Sequence, residues 1–119
     1  MAFAMTTHEI DGALVLDLSG RLTLGDAIED LREPVRQFLD DGNRAFVLNL
    51  AEVSYMDSAG LGQVVASYVS ARNKRGHVVL LTPSRRSEEL LKISKLSTIF
   101  DIYDDEATAV EAVNRQVAN

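Results

Sequence analysis

Met56-Asp57-Ser58-Ala59-Gly60-Leu61-Gly62 is the stretch of this chain that decides its fold. It follows an apolar run over 45–50 that is typical of a buried strand, and it opens a segment of helical periodicity from Leu61 to Arg75. Ser58 therefore lies where a strand passes into a helix, beside a carboxylate and two glycines. The free N–H groups and the positive dipole end at such a helix start suit a phosphate or another anion.

Further strands and helices are predicted on both sides of this turn. Asp11-Gly12 between apolar runs predicts a hairpin, because both positions of a two-residue turn need positive φ. The strands are predicted over 6–10, 13–19 (ended by Gly20), 45–50, 78–81 and 99–103, and the helices over 26–41, 58–75, 85–93 and 106–117. This β-β-α-β-α-β-α-β-α order predicts an α/β domain over 1–119, with a mixed, largely parallel sheet of four to five strands and about four helices.

The helix that begins at Ser58 is expected to bury one face. Helical spacing groups Leu61, Val64, Val65 and Tyr68, together with Ala71 or Arg72, on the inner side. It puts Gln63, Ser67, Ser70 and Lys74 on the opposite, outer side.

Composition narrows the class of protein. The 119 residues suffice for one domain with a full core, and the absence of cysteine excludes disulfides, thiolate zinc sites and thiol catalysis. No apolar run approaches the ~20 residues of a membrane span, and the start lacks a basic leader, so we expect a cytoplasmic protein without membrane insertion.

The charge of the chain is acidic overall but unevenly spread. A net charge of −6 argues against nucleic-acid binding. The segment from Arg72 to Lys95 nevertheless carries seven basic and two acidic residues. This segment is either a docking patch for an acidic partner or a solvated face of two surface helices.

The Asp57-Ser58 turn has four candidate roles. A serine hydrolase is disfavoured, because Met56 replaces the first glycine of G-x-S-x-G, and because neither His8 nor His77 is expected to reach Ser58. A dedicated nucleotide site is disfavoured, because neither G-x-G-x-x-G nor a P-loop is completed. A structural helix cap by Asp57 and a regulatory phosphoserine at Ser58 both remain open.

Asp57-Ser58-Ala59-Gly60-Leu61-Gly62, preceded by the segment 48–53, resembles the signature of the STAS domain family. Within that family the chain is most similar to the standalone anti-sigma factor antagonists. Gly20-Arg21-Leu22, Gly42, Gly76 and the segment 100–103 also fall where the family pattern has such residues. The similarity extends through almost the whole chain.

The resemblance implies a partner-switching cycle without a cofactor, a metal or a catalytic residue. The unmodified protein would bind an anti-sigma factor, which is a serine kinase of the GHKL type, and so release a sigma factor. The kinase would phosphorylate Ser58 to end the complex, and a PP2C-type phosphatase would reset the cycle. The partner-binding residues implied are Leu22, Thr23, Leu24, Gly25, Asp57, Ser58, Ala59, Gly60, Leu61, Gly62 and Gln63.

Three departures from the family pattern and two rival functions accompany this resemblance. One departure is Pro34, which interrupts a helix that is usually free of proline in the family. Thr23 and Asn49 stand where many family members carry aspartate. A STAS domain also serves as an accessory subunit of lipid or anion transport systems, or as a scaffold in stress signalling. In either of these functions Ser58 would not need to be phosphorylated.

Overall fold

A computed structural model of the chain describes residues 3–23 and 28–119. The strands are β1 (Ala4–Ile10), β2 (Ala13–Leu22), β3 (Ala45–Met56), β4 (His77–Leu81) and β5 (Ile102–Tyr103). The helices are α1 (Ile28–Asp40), α2 (Ser58–Asn73), α3 (Arg85–Ile93) and α4 (Glu106–Ala118), with a 3-10 turn at Leu96–Thr98. The five strands form one sheet in the order β1-β2-β3-β4-β5. The predicted element order and the mixed α/β class are confirmed.

The hairpin joins the only antiparallel pair among the described strands. Ile10 lies opposite Ala13, and the two turn residues, Asp11 and Gly12, have φ values of 51° and 86°. These positive angles match the right-handed twist of the flanking strands, as the sequence predicted. The pairs β2–β3, β3–β4 and β4–β5 are parallel. Because β1 is first in the strand order, it forms one edge of the sheet.

Alternation along the strands separates two hydrophobic cores. Leu14, Leu16 and Leu18 belong to the core that also contains the buried residues of α1, α2 and α3. Ala13 and Val15 point to the opposite face, where α4 packs. The sheet is therefore covered by three helices on one side and by one helix on the other.

The second and third strands are longer than predicted. β2 continues through Gly20 to Leu22, and β3 runs six residues beyond Leu50 to Met56. The expectation that Gly20 ends the strand is wrong, because glycine accepts the φ of 85° found there and pairing resumes beyond it. This extension brings the carboxyl ends of β2 and β3 together next to Ser58.

The last strand is shorter than predicted. Only Ile102 and Tyr103 pair with β4, whereas 96–98 form the 3-10 turn and Ile99 is 47% exposed. The apolar run 99–103 is therefore only partly a strand. Among the described residues, no helix has both the length and the apolar composition that a membrane span requires.

Candidate functional site

The turn that carries Ser58 is fixed by backbone and side-chain hydrogen bonds. Leu22 lies opposite Met56 at the end of the β2–β3 ladder, and Asp57 N–H donates to the Leu22 carbonyl at 3.4 Å. The Asp57 Oδ1 atom accepts a hydrogen bond from the Gly60 amide at 2.8 Å, so that Asp57 is the N-cap of α2. Ser58 is consequently the first residue of that helix.

A close approach between α2 and β2 explains the glycine at position 60. A Cβ atom built on Gly60 would lie 1.8 Å from the Leu22 carbonyl oxygen, which is a backbone atom and cannot rotate away. Gly62 is different, because nothing lies within 4 Å of its hypothetical Cβ. Packing therefore requires a glycine at position 60 but not at position 62.

Burial divides the predicted partner-binding residues into two groups. Ser58 and Gly62 are exposed, and Asp57 and Ala59 are half-buried. The buried members are Leu22, Thr23, Gly60, Leu61 and Gln63. Leu24 and Gly25 lie outside the described residues. Among the described members of the eleven predicted positions, only Asp57, Ser58, Ala59 and Gly62 are therefore accessible to a partner.

The predicted outer face of α2 is partly wrong. Gln63 and Ser67 were expected to face solvent, but they are 8% and 1% exposed. The reason is that α2 packs against α1 as well as against the sheet, so that more than one helix face is covered. Ser67 Oγ donates to the Gln63 carbonyl at 2.9 Å, while the side-chain Oε1 of Gln63 has no hydrogen-bond partner among the described residues.

Neither histidine is engaged at Ser58. The ring of His8 lies between Asp17, at 2.7 Å, and Glu106, at 2.6 Å. The hydrogen bond to Glu106 and the charge of Asp17 raise the pKa of His8, with burial opposing them. His77 lies at the start of β4 beside Arg72, and burial followed by the Arg72 charge lowers its pKa. The arrangement offers an exposed hydroxyl without an imidazole base.

Asn49 has a specific role beside the His8 pair. Its Nδ2 group donates to the Asp17 Oδ1 atom at 2.8 Å, and its own Oδ1 atom accepts from the Ala51 amide at 3.1 Å. An aspartate at this position would set a second carboxylate against Asp17. The amide is therefore the form that fits this sheet.

One feature near the turn escaped prediction from the sequence. The guanidinium carbon of Arg21 lies 5.3 Å from the centre of the Tyr55 ring, a cation–π distance. The sequence did not predict this contact, because β2 was expected to end at Ser19, three residues early, and β3 at Leu50, six residues early. Among the described residues, no cluster of three or more His, Cys, Asp or Glu side chains is placed to hold a metal ion.

Comparison with known proteins assigns the fold to a family. The model of the STAS domain matches residues 4–109. A protein of Bordetella bronchiseptica named "Putative anti-sigma factor antagonist BtrV" is 31% identical over 108 residues, which cover 91% of this chain and 92% of that protein. An anti-sigma F factor antagonist of Paenibacillus polymyxa is 30% identical over 104 residues, covering 83% and 85% of the two chains.

A solved structure agrees with these sequence matches. The crystal structure of a protein from Thermotoga maritima, titled a "putative anti-sigma factor antagonist", superposes with a TM-score of 0.85 at 27% identity. The superposition covers 93% of this chain and 95% of that one. The chain described above belongs to the STAS domain family.

Proposed function

We propose that this chain is an anti-sigma factor antagonist whose binding is switched off by phosphorylation of Ser58. Its partner in this proposal is an anti-sigma factor serine kinase of the GHKL type. The observation that carries the proposal is the exposed Ser58 hydroxyl at the first position of α2. The names of the relatives from Bordetella bronchiseptica and Paenibacillus polymyxa support the same class of function.

The location of Ser58 suits a switch that leaves the fold in place. A phosphoryl group adds about −1.5 to −2 charges and three acceptor oxygens. The N-terminus of α2 favours negative charge, so the domain itself tolerates the modification. A partner surface resting on the turn does not, because its own groups would be desolvated beside the new charge.

In this proposal the partner docks on the exposed part of the turn. Ser58 and Gly62 are exposed, and Ala59 is half-buried between them. These three positions form the centre of the contact. The buried residues Leu22, Leu61 and Gln63 act indirectly, by fixing the position of α2 on the domain.

In this proposal the chain is a substrate and a binding module, and the chemistry belongs to its partners. The kinase supplies the phosphoryl group from ATP, and a PP2C-type phosphatase removes it by hydrolysis. The chain contributes the acceptor hydroxyl, which Asp57 positions by capping the helix.

The acceptor is tested by mass spectrometry of the intact protein. Incubation with the cognate kinase and ATP should raise the mass by one phosphate, and Ser58→Ala should abolish the increase. Ser54→Ala is the matched control, because Ser54 is another exposed serine close to the turn. A phosphate that persists in Ser58→Ala, or that is lost in Ser54→Ala, would contradict the assignment.

Binding provides a second test of the switch. Ser58→Glu should weaken the complex with the kinase, whereas Ser58→Ala should bind about as tightly as the wild type. Isothermal titration calorimetry measures both affinities. Equal affinity of the phosphorylated and unmodified proteins would refute electrostatic release.

A further inference from the structure

We propose that Arg21, stacked on Tyr55, is a specificity-determining contact for the partner that docks over Ser58. In this proposal the guanidinium receives a carboxylate of that partner. The inference rests on the proposed function and extends its surface from the turn to the end of β2.

A bulge in β3 creates the Arg21–Tyr55 pair. Gly20 lies opposite Val53 and Arg21 lies opposite Tyr55, so that Ser54 is the additional residue between them. The Ser54 hydroxyl donates to the Gly20 carbonyl at 3.1 Å and so satisfies part of the broken ladder. Without this bulge Ser54 would face Arg21, and the ring would not lie beneath the guanidinium. Bulges often reorient a side chain next to a functional site.

The guanidinium lies over the Tyr55 ring and is still available for an acid. Arg21 is exposed, while Tyr55 is half-buried, so the ring offers a fixed platform for the cation. In the part of the chain that the structure describes, no carboxylate lies within ion-pair distance of Arg21. A pre-positioned arginine loses less conformational freedom when it binds a carboxylate in two parallel hydrogen bonds.

The pair is directly connected to the turn of Ser58. Arg21 precedes Leu22, whose carbonyl accepts the hydrogen bond from Asp57, and Tyr55 precedes Met56. Leu22 and Met56 point into the core shared with α2, so the alternating strand positions Arg21 and Tyr55 face away from that core. A partner seated at the carboxyl ends of β2 and β3 therefore contacts Ser58 on one face of the sheet and Arg21 on the other.

The identity of these side chains also fits an interface. Arginine and tyrosine are enriched among the residues that dominate binding energy at protein surfaces. The positive charge of Arg21 favours an acidic group on the partner. A carboxylate is present before phosphorylation occurs, so it is the acidic group that we propose. A phosphate on Ser58 or on the nucleotide of the kinase is the alternative acidic group, and the experiment distinguishes it from a carboxylate of the partner.

The experiment measures the affinity of unphosphorylated variants for the nucleotide-free cognate kinase by calorimetry. Arg21→Ala should weaken binding about tenfold, and Arg21→Glu should weaken it more. Tyr55→Leu should also weaken binding, whereas Tyr55→Phe keeps the ring and should weaken it less than Tyr55→Leu. Arg115→Ala is the matched control, because Arg115 is an exposed arginine in the last turn of α4 and loses the same charge.

The outcomes separate this inference from the proposed function. Thermal unfolding of each variant shows first that the domain is folded. If the wild type binds but Arg21→Ala binds equally well, the inference is overturned and the proposed function stands. If Arg21→Ala lowers the affinity only when the protein is phosphorylated or only when the kinase is loaded with nucleotide, the carboxylate assignment is overturned in favour of a phosphate. A wild-type chain that neither binds the kinase nor accepts phosphate overturns both.

Discussion

His8 of β1 connects strand β2 and helix α4 through one imidazole ring. Its Nδ1 atom lies 2.7 Å from Asp17 of β2, and its Nε2 atom lies 2.6 Å from Glu106 of α4. Both ring nitrogens can donate at once only in the protonated form. The pair of carboxylates therefore favours the imidazolium, which is why the pKa of His8 is raised. The ring therefore connects the edge strand β1 to helix α4.

The two histidines of the chain should titrate in opposite directions from the ordinary value near 6.5. Burial and the charge of Arg72 lower the pKa of His77, whereas Glu106 and Asp17 raise that of His8. Proton NMR of the ring signals across pH 5–9 resolves both titrations. A His8 signal that titrates below that of His77 would contradict the assigned contacts.

The raised pKa of His8 also determines the sign of a stability change. Because the folded state holds the proton more tightly, the stabilisation is fully present below the unfolded pKa and is lost as pH rises through the folded pKa. The lowered pKa of His77 changes the free energy of unfolding with pH in the opposite direction. The pH dependence of the wild-type stability alone therefore does not isolate the contribution of His8. The difference between wild type and His8→Gln in urea unfolding should shrink as pH rises above 6.5. A difference that is independent of pH would refute the role of His8.

Gln63 should be replaceable with a gain in stability. Its side chain is 8% exposed, and its Oε1 atom lacks a hydrogen-bond partner among the described residues. A buried acceptor without a partner costs roughly 1–3 kcal/mol. Gln63→Met, which keeps the length of the side chain, should raise the free energy of unfolding by about 1 kcal/mol. Gln37→Met, at an exposed position of α1, is the control and should change it little.

At the scale of elements, two glycines of α2 should respond oppositely to alanine. Gly60→Ala forces a methyl group against the Leu22 carbonyl oxygen and must displace the start of α2. We expect a loss of about 2–3 kcal/mol in the free energy of unfolding. Gly62→Ala meets open space inside the helix and should gain roughly 0.5–1 kcal/mol. Chemical denaturation measures both values, and equal effects would disprove the close approach at position 60.

The elements that the sequence predicted well are those specified by local patterns. The turn at Asp11-Gly12 and the Asp57 cap depend on neighbouring residues, and both are present in the structure. The buried strand at 45–50 was predicted from its nearly continuous run of apolar residues. The local pattern of an apolar run followed by helical periodicity also placed Ser58 at the start of a helix, where the structure has it.

The elements predicted less well depend on contacts between distant segments. The burial of Gln63 results from packing against α1, and the extension of β2 beyond Gly20 results from pairing with β3. The bulge that brings Tyr55 opposite Arg21 likewise has no local signal in the sequence. The candidate site was therefore predictable at Ser58 itself and unpredictable at its margin.

At the scale of the whole molecule, the proposed switch changes a surface and not the fold. Ser58 is exposed at the start of α2, and its modification touches neither the core under α1, α2 and α3 nor the core under α4. The dipole of α2 favours an anion at this end by about 0.3–1 kcal/mol. Stability should therefore stay constant or rise slightly when Ser58 is phosphorylated.

This expectation is checked on the phosphorylated protein by thermal unfolding and amide NMR. The unfolding midpoint should stay equal or rise by a few degrees, as a gain of up to about 1 kcal/mol implies for a domain of this size. Shift changes should be largest near positions 57–63 and around Thr23, and small in β4 and α4. Thr7→Glu, at an exposed position of β1, is the control for an added charge that lacks the helix dipole. A fall of several degrees, or shift changes throughout β4 and α4, would mean that phosphorylation acts by refolding the domain and would refute a surface switch.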